Sequence, residues 1–345
     1  MIPFVIPSEA KRGRGILKRS LHASRLWRDL VGMTVGVVFL LLTSSVNAQQ
    51  VSLSISPPIL ELVIKPGKSI MVAYRVGNLG DPTILTTKIL PFEPKDNLGN
   101  IRIKKEFDGP VRFGLDNADL QLEQPFFLKT GDSQQLLLRI RLPEGAPEGD
   151  YYYTLLAETV PPKSSEGIGS AQARVDIGSN ILITVTESGS VEVKPKIALF
   201  STLGGLILDR DLKIYDSFDK IPLTLIVENK GKNMIKPEGE ITLKGNFGEE
   251  IKYDIIPKNI LSMSQRLVEA TPSAQFEKPV SLTLSGFFVG LYRLSTKLTF
   301  GENSPTVFAS TSFLALPFKL IVGLIVVIII TTFVIRKFST QEDED

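Results

Sequence analysis

Carboxylates and tyrosines are the residues here whose types and spacing come nearest to chemistry. Glu144, Glu148 and Asp150 crowd one short stretch, Glu249 and Glu250 are adjacent, and Asp209-Arg210-Asp211 starts like a cation loop. Two carboxyls across a glycosidic bond would serve a hydrolase as acid and base. A Ca²⁺ loop needs further acids, a Gly and a closing Glu at fixed spacing. Neither pattern is completed. The first group sits in turns beside Gly and Pro, where acids are ordinarily solvated, and Asp211 is not followed by the Asp, Gly and Glu of such a loop. His22 is the only histidine and cysteine is absent. Past residue 22 this excludes Ser-His-Asp catalysis, thiol chemistry, disulfides and His- or Cys-ligated metal. The expectation is no catalysis, no metal and no cofactor.

Tyr151-Tyr152-Tyr153 is the densest aromatic cluster. In a strand Tyr151 and Tyr153 face one way and Tyr152 the other, so one side is core while an outward ring is free to stack on a sugar. The three tyrosines are therefore the candidate ligand-binding residues, against the plainer alternative of edge packing. Phe126-Phe127 and Phe287-Phe288 pose a related problem: one ring of each pair goes inside and the other needs cover, for which a neighbouring module is the candidate.

The elements that position these residues read as strands. Ile70, Val72, Tyr74 and Val76 share one face, Leu136, Leu138, Ile140 and Leu142 another, and Ile181, Ile183 and Val185 repeat the period of two. Ser56-Pro57-Pro58, Lys65-Pro66-Gly67, Thr130-Gly131-Asp132 and Pro143-Glu144-Gly145 separate the runs as turns. No helical period is sustained between residues 50 and 312. An internal echo divides the chain: Val76-Gly77-Asn78-Leu79-Gly80 returns as Val227-Glu228-Asn229-Lys230-Gly231, and Gly149-Asp150-Tyr151 as Gly290-Leu291-Tyr292. Asn and Gly after a strand favour a turn with positive φ. The fold class expected is all-β: two tandem Ig-like β-sandwich domains, 49–187 and 188–312. Pro161 to Ser170 reads as a connecting loop inside the first.

Both ends are apolar. Residues 1–29 carry seven Lys/Arg against two acids, followed by thirteen uncharged residues, Leu30–Leu42, and small residues at Val46 and Ala48. This is the pattern of an N-terminal signal peptide, 1–48, cut between Ala48 and Gln49, with an uncleaved anchor as the alternative. Leu320–Ile335 has no charge in sixteen residues and is closed by Arg336-Lys337. Extended back past Lys319 and Pro317, it gives a C-terminal transmembrane helix over 314–335 and a cytoplasmic tail over 336–345. The basic head directs the bulk of the chain to the extracytoplasmic side of the plasma membrane. Pro317, Lys319, Arg336 and Lys337 mark the membrane boundaries. Leu316-Pro317-Phe318-Lys319 lacks the Thr and Gly of a sortase signal, so no covalent wall attachment is expected. Residues 49–318 hold 29 Lys/Arg and 31 Asp/Glu, a net charge of −2, and predict no nucleic-acid partner.

Ser56-Pro57-Pro58-Ile59-Leu60-Glu61-Leu62, Lys65-Pro66-Gly67, Val76-x-Asn78 and Phe92-Glu93-Pro94 together resemble the start of the WxL-interacting protein family. Ala146-Pro147-Glu148-Gly149-Asp150-Tyr151 with Glu158 is similar to a later strand of its first module. Val227-x-Asn229-x-Gly231, Lys236-Pro237-Glu238-Gly239 and Asn246-Phe247-Gly248 are similar to its second. Thr130 stands where that family usually has Pro, and the tail is acidic where a basic one is usual. The family's first module is described as peptidoglycan-binding. The resemblance implies a bacterial membrane-anchored cell-surface protein that attaches non-covalently to cell-wall glycan or to surface proteins. The rival is a structural or accessory subunit of a membrane complex that binds no glycan.

Overall fold

The computed structural model describes residues 50–160 and 174–342, apart from 209–211, 247, 274, 275, 277 and 303, with side chains through Arg336. The expected connector at 161–170 and the expected cleavage site at Ala48 and Gln49 lie outside the described residues. Strand is the main regular structure described, and the last element is one helix.

Alternation builds the first half from β1 (Leu53–Ser56), β2 (Ile59–Ile64), β3 (Ser69–Asn78), β4 (Thr83–Pro94), β5 (Ile101–Ile103), β6 (Arg112–Leu115), β7 (Pro125–Leu128), β8 (Ser133–Arg141), β9 (Gly149–Thr159) and β10 (Asp176–Val185). Pro57 and Pro58 cannot extend the β1 ladder because proline has no N–H to donate. The chain leaves one sheet there and joins the other. β1-β3-β8-β6 forms the first sheet, and β2-β10-β9-β4-β5, with β7 also on β4, forms the second. β2 runs parallel to β10 while the other pairings are antiparallel. That strand order is the immunoglobulin-like arrangement. Tyr74, Val76, Leu136, Leu138 and Ile140 from one sheet meet Leu85, Tyr153, Leu155, Ile181 and Ile183 from the other in one core.

The second half repeats the plan. β11 (Pro195–Thr202), β12 (Leu206–Ile207), β13 (Leu212–Asp216), β14 (Ile221–Asn229), β15 (Glu238–Lys244), β16 (Glu250–Asp254), β17 (Gln265–Leu267), β18 (Leu282–Leu284), β19 (Gly290–Thr299) and β20 (Val307–Leu316) follow in order. β11-β14-β17, with β18 also on β14, faces β12-β13-β20-β19-β15-β16. β13 is parallel to β20 as β2 is to β10. β17 and β18 together take the place of β8, with residues 268–281 between them. Leu223, Leu225, Ile241, Leu294 and Phe313 belong to a second, separate core.

The echoed asparagines do something other than the sequence suggests. Among the described residues the non-glycines with positive φ are Glu123 and Met263, and neither Gly80 nor Gly231 is in that region. The expected positive-φ turn is therefore absent at both sites. Asn78 and Asn229 are instead buried, and their side chains bind backbone. Asn229 Oδ1 accepts from Gly231 N (2.9 Å) while Nδ2 donates to the carbonyls of Asn233 (2.8 Å), Leu261 (3.1 Å) and Ile260 (3.2 Å). Asn78 likewise accepts from Gly80 N (2.9 Å) and donates to Asp81 O (2.8 Å) and Leu128 O (3.3 Å). The glycine is required by close approach: a Cβ on Gly231 would stand 2.5 Å from Glu192 O, and one on Gly80 2.2 Å from Gln50 O.

After Leu316 only Pro317 intervenes before α1 (Phe318–Glu342). The stretch Phe318–Arg336 is long and apolar enough to cross a membrane, and none of it is buried against the rest of the chain.

Candidate functional site

β9 brings the tyrosines to three different environments. Tyr153 is 1% exposed and its ring is core, so it cannot stack on a ligand. Tyr152 faces the other side of the sheet, as alternation requires, but is not free. Its ring stacks on Phe92 at 5.7 Å, its hydroxyl donates to Asp150 Oδ2 (2.8 Å), and Ser262 N of the second half donates to it (2.9 Å). Burial, then the Asp150 charge, push the Tyr152 hydroxyl far above its ordinary pKa. Tyr151 is half-buried, its hydroxyl donating to Pro147 O (3.0 Å). Of the three, Tyr151 and Tyr152 stay partly exposed, and Tyr151 is the one with no hydrogen bond to the second half among the described residues.

An accessible ring beside the tyrosines that the sequence did not single out is Phe107, 45% exposed. It stacks on Tyr153 (5.5 Å, 18°), and Phe113 meets both rings edge-on (4.9 Å to Tyr153, 6.1 Å to Phe107). Tyr153 OH donates to Asp108 O (3.1 Å) and holds the loop down. Gly109 lets it approach: a Cβ there would lie 2.3 Å from that hydroxyl, and φ is +108°. Lys104 pairs with Asp108 (3.3 Å), and Lys104, Lys105, Glu106 and Asp108 line a shallow hollow with Phe107. A fixed apolar ring rimmed by donors and acceptors suits a polyol or sugar face. A single Phe in Lys104-Lys105-Glu106-Phe107-Asp108-Gly109 gives no periodic signal, and only its partner 46 residues away reveals it.

Asp150, expected in solvent, is instead a hub between the halves. Its carboxylate accepts from Thr184 Oγ1 (2.8 Å), Tyr152 OH (2.8 Å), Asn233 Nδ2 (2.9 Å) and the Met234 N–H. Nearby, Glu61 accepts from Lys236 Nζ (3.1 Å) and Asn259 Nδ2 (2.6 Å), and Leu267 N donates to Asn97 O (2.6 Å). The second half thus covers the outer face of β9 and β10. This is why Thr154, Leu182 and Thr184 are buried although alternation places them outside. A cleft of about 200 Å³ remains between Phe92, Leu182, Asn259 and Arg266, smaller than the roughly 300–1,000 Å³ of small-molecule pockets.

At the opposite end of β14, α1 is latched to the second half. Asp216 Oδ2 accepts from Lys319 N (2.9 Å), Oδ1 accepts from Phe218 N (3.2 Å), and the Lys319 ammonium pairs with Asp219. Lys319, expected to reach toward the membrane interface, reaches a protein carboxylate. Pro317 is the single residue between β20 and α1, and Arg336 and Lys337 lie on the helix after the apolar run. Burial opposes the Asp216 charge, but the two N–H groups and the Lys319 ammonium outweigh it and hold the carboxyl below its ordinary value. A depressed folded-state value stabilises the latch above about pH 4 and loses that stabilisation as pH falls through the folded value. Amide exchange at Leu320 and Ile321 is expected to speed up on acidification below pH 4 relative to β19. Asp216→Asn is expected to abolish that pH dependence; an unchanged profile refutes the assignment.

The phenylalanine pairs divide as expected inside but not outside. Phe126 packs on the first core and Phe288 belongs to the second. Phe127 and Phe287 stay 60% and 56% exposed, so no neighbouring module covers them. Among the described residues no cluster of three or more His, Cys, Asp or Glu could hold a metal ion.

No family model and no curated protein matches the chain. Solved structures similar to it include the class 5 fimbriae chaperone CfaA, at TM-score 0.37 and 14% identity over 75% of this chain and 99% of that one. The YadV chaperone follows at 0.34 and 11%, over 75% and 98%. The CsuC–CsuE chaperone–tip subunit pre-assembly complex of Acinetobacter baumannii is at 0.33 and 12%, over 77% and 99%. Likeness at this level does not bear on function.

Proposed function

We propose that this chain is a membrane-anchored bacterial cell-surface protein that attaches non-covalently to cell-wall glycan. In this reading residues 1–48 are a signal peptide cut after Ala48, and 49–187 and 188–316 are tandem Ig-like domains outside the cell, the second extended beyond the expected 312 because β20 runs to Leu316. The span then begins at Phe318 and not at the expected 314, because Leu314–Leu316 are paired within β20; it runs through 335, and 336–345 are cytoplasmic. The observation that carries the binding role is Phe107, an exposed ring held flat on Tyr153 and rimmed by charged side chains. Because the ring is fixed before any ligand arrives, stacking costs little ordering entropy. The apolar helix, with its direct latch to the second half, supports the anchoring part.

The test is co-sedimentation of the full chain, in detergent, with purified peptidoglycan sacculi. Phe107→Ala is expected to weaken retention about tenfold, a loss of ~1.4 kcal/mol. Unchanged retention of that variant would remove Phe107 from the reading. One observation favours a protein partner instead. Ile84 and Phe127 are exposed cross-strand neighbours, with Val160 N bonded to Ile84 O beside them. Absence of sedimentation, together with a stoichiometric partner lost in Phe127→Ala, would establish the accessory-subunit alternative.

A further inference from the structure

The end of the second half from which α1 leaves is apolar at three separate segments. Phe218 is 62% exposed, Phe287 56% and Leu206 66%, with Val289 beside Phe287. The rings of Phe218 and Phe287 touch, with centroids 4.9 Å apart and planes tilted by 50°. Soluble surfaces do scatter single apolar residues, but paired aromatics on adjoining turns form a patch.

These turns are fixed to the start of the helix. Asp216, two residues before Phe218, accepts from Lys319 N, and Asp219, one residue after it, pairs with the Lys319 ammonium. Phe288 N donates to Ser217 O (3.0 Å), which ties the Phe287 turn to the same point. Only Pro317 separates the last strand from α1, so no linker lets the second half move away from the helix. If the helix enters a bilayer near Phe318, the Phe218–Phe287 pair is held within about one helical turn of that depth, ~5 Å. That depth is the headgroup region, where ring side chains partition favourably and lysines reach phosphate. Lys220 and Lys278 lie exposed at the rim of an adjoining hollow with the exposed ring of Phe276.

We infer that this end of the second half rests in the outer interface of the same bilayer that α1 crosses, with Phe218 and Phe287 inserted as a collar. The inference rests on the membrane-anchored reading of α1. It makes the anchor a surface contact as well as a helix, and so fixes the tilt of the external part relative to the membrane.

The test uses the full chain in phosphatidylcholine–phosphatidylglycerol vesicles. Trp27 is the single tryptophan, so a Trp27→Phe background leaves each introduced tryptophan as the sole reporter. Phe218→Trp reports the collar, Phe333→Trp the helix, and Phe127→Trp a position expected to stay in water. Circular dichroism verifies that each variant folds. The expected result is blue-shifted emission, and quenching by lipids brominated near the carbonyls, for Phe218→Trp and Phe333→Trp, with Phe127→Trp unshifted. Quenching of Phe333→Trp without Phe218→Trp would overturn the collar and leave the anchor standing. Loss of quenching at both would overturn both.

Discussion

Asn229→Ala is expected to lower the unfolding free energy by about 3 kcal/mol or more, since a buried polar group left unpaired costs roughly 1–3 kcal/mol. Asn229 has no solvent exposure, and its amide serves one N–H and three carbonyls drawn from the turn after β14 and the segment before β17. Alanine leaves Gly231 N and Asn233 O without their side-chain partner, while Ile260 O still accepts from Ile235 N and Leu261 O from Ser264 Oγ. Asn229→Asp distinguishes the donors from the shape. It keeps an acceptor for Gly231 N but turns a carboxylate on three carbonyl oxygens, so it should be at least as damaging. Asn78→Ala is expected to cost less, because its third carbonyl contact, Lys129 O, lies at 3.5 Å and is only part-buried. Urea unfolding at constant m-value measures both. A change below about 1 kcal/mol for Asn229→Ala would show that the hub is not needed for folding.

Asp150 should have the largest effect on how the halves hold together. Four donors converge on it and each of its oxygens takes two. Hydrogen bonds to a charged group contribute about 1.5–3 kcal/mol each in favourable sites, although neighbouring ones do not add. Asp150→Ala is expected to weaken the junction by about 2–4 kcal/mol while leaving each core intact. Asp150→Asn should be nearly as harmful, because its NH₂ must face two groups that themselves donate. The measurement is the rate of proteolytic cutting within residues 186–194, which join β10 to β11. A double-mutant cycle with Asn233→Ala isolates the bond across the junction. Additive effects would mean that Asp150 and Asn233 act independently, and that the junction is held elsewhere.

The strand pattern was legible because period-two alternation is a local property. Val72, Tyr74 and Val76, or Leu136, Leu138 and Ile140, announce a buried face without knowledge of any partner. It misleads at β9 and β10, where both faces are covered. The outward residues there include Thr154, Thr184 and Tyr152, whose polarity suggested solvent. The Asn78–Asn229 echo was legible as an echo, but its cause was misjudged. A short local motif fits a left-handed turn as well as it fits an amide reaching carbonyls up to 51 residues away. The Tyr151–Tyr153 cluster stands out over Phe107 in sequence because density along the chain says nothing of depth: the clustered rings are largely used in packing, while the lone ring is displayed.

The order of residue types along the chain was enough for the all-β class, the Asn-centred echo and the apolar helix that ends the described chain. Each depends on hydrophobic period or length, and a side chain's own chemistry carries those. Tertiary contacts alone make Asp150 and Tyr152 join the halves, leave the Phe107 ring open on top of Tyr153, and let Asp216 cap the helix. Those roles belong to pairs 84, 110 and 103 residues apart for Asp150–Met234, Tyr152–Ser262 and Asp216–Lys319, and to a stacking partner for Phe107. Solvation and contact at such range are set by how the sheets close, and no single stretch of chain encodes that.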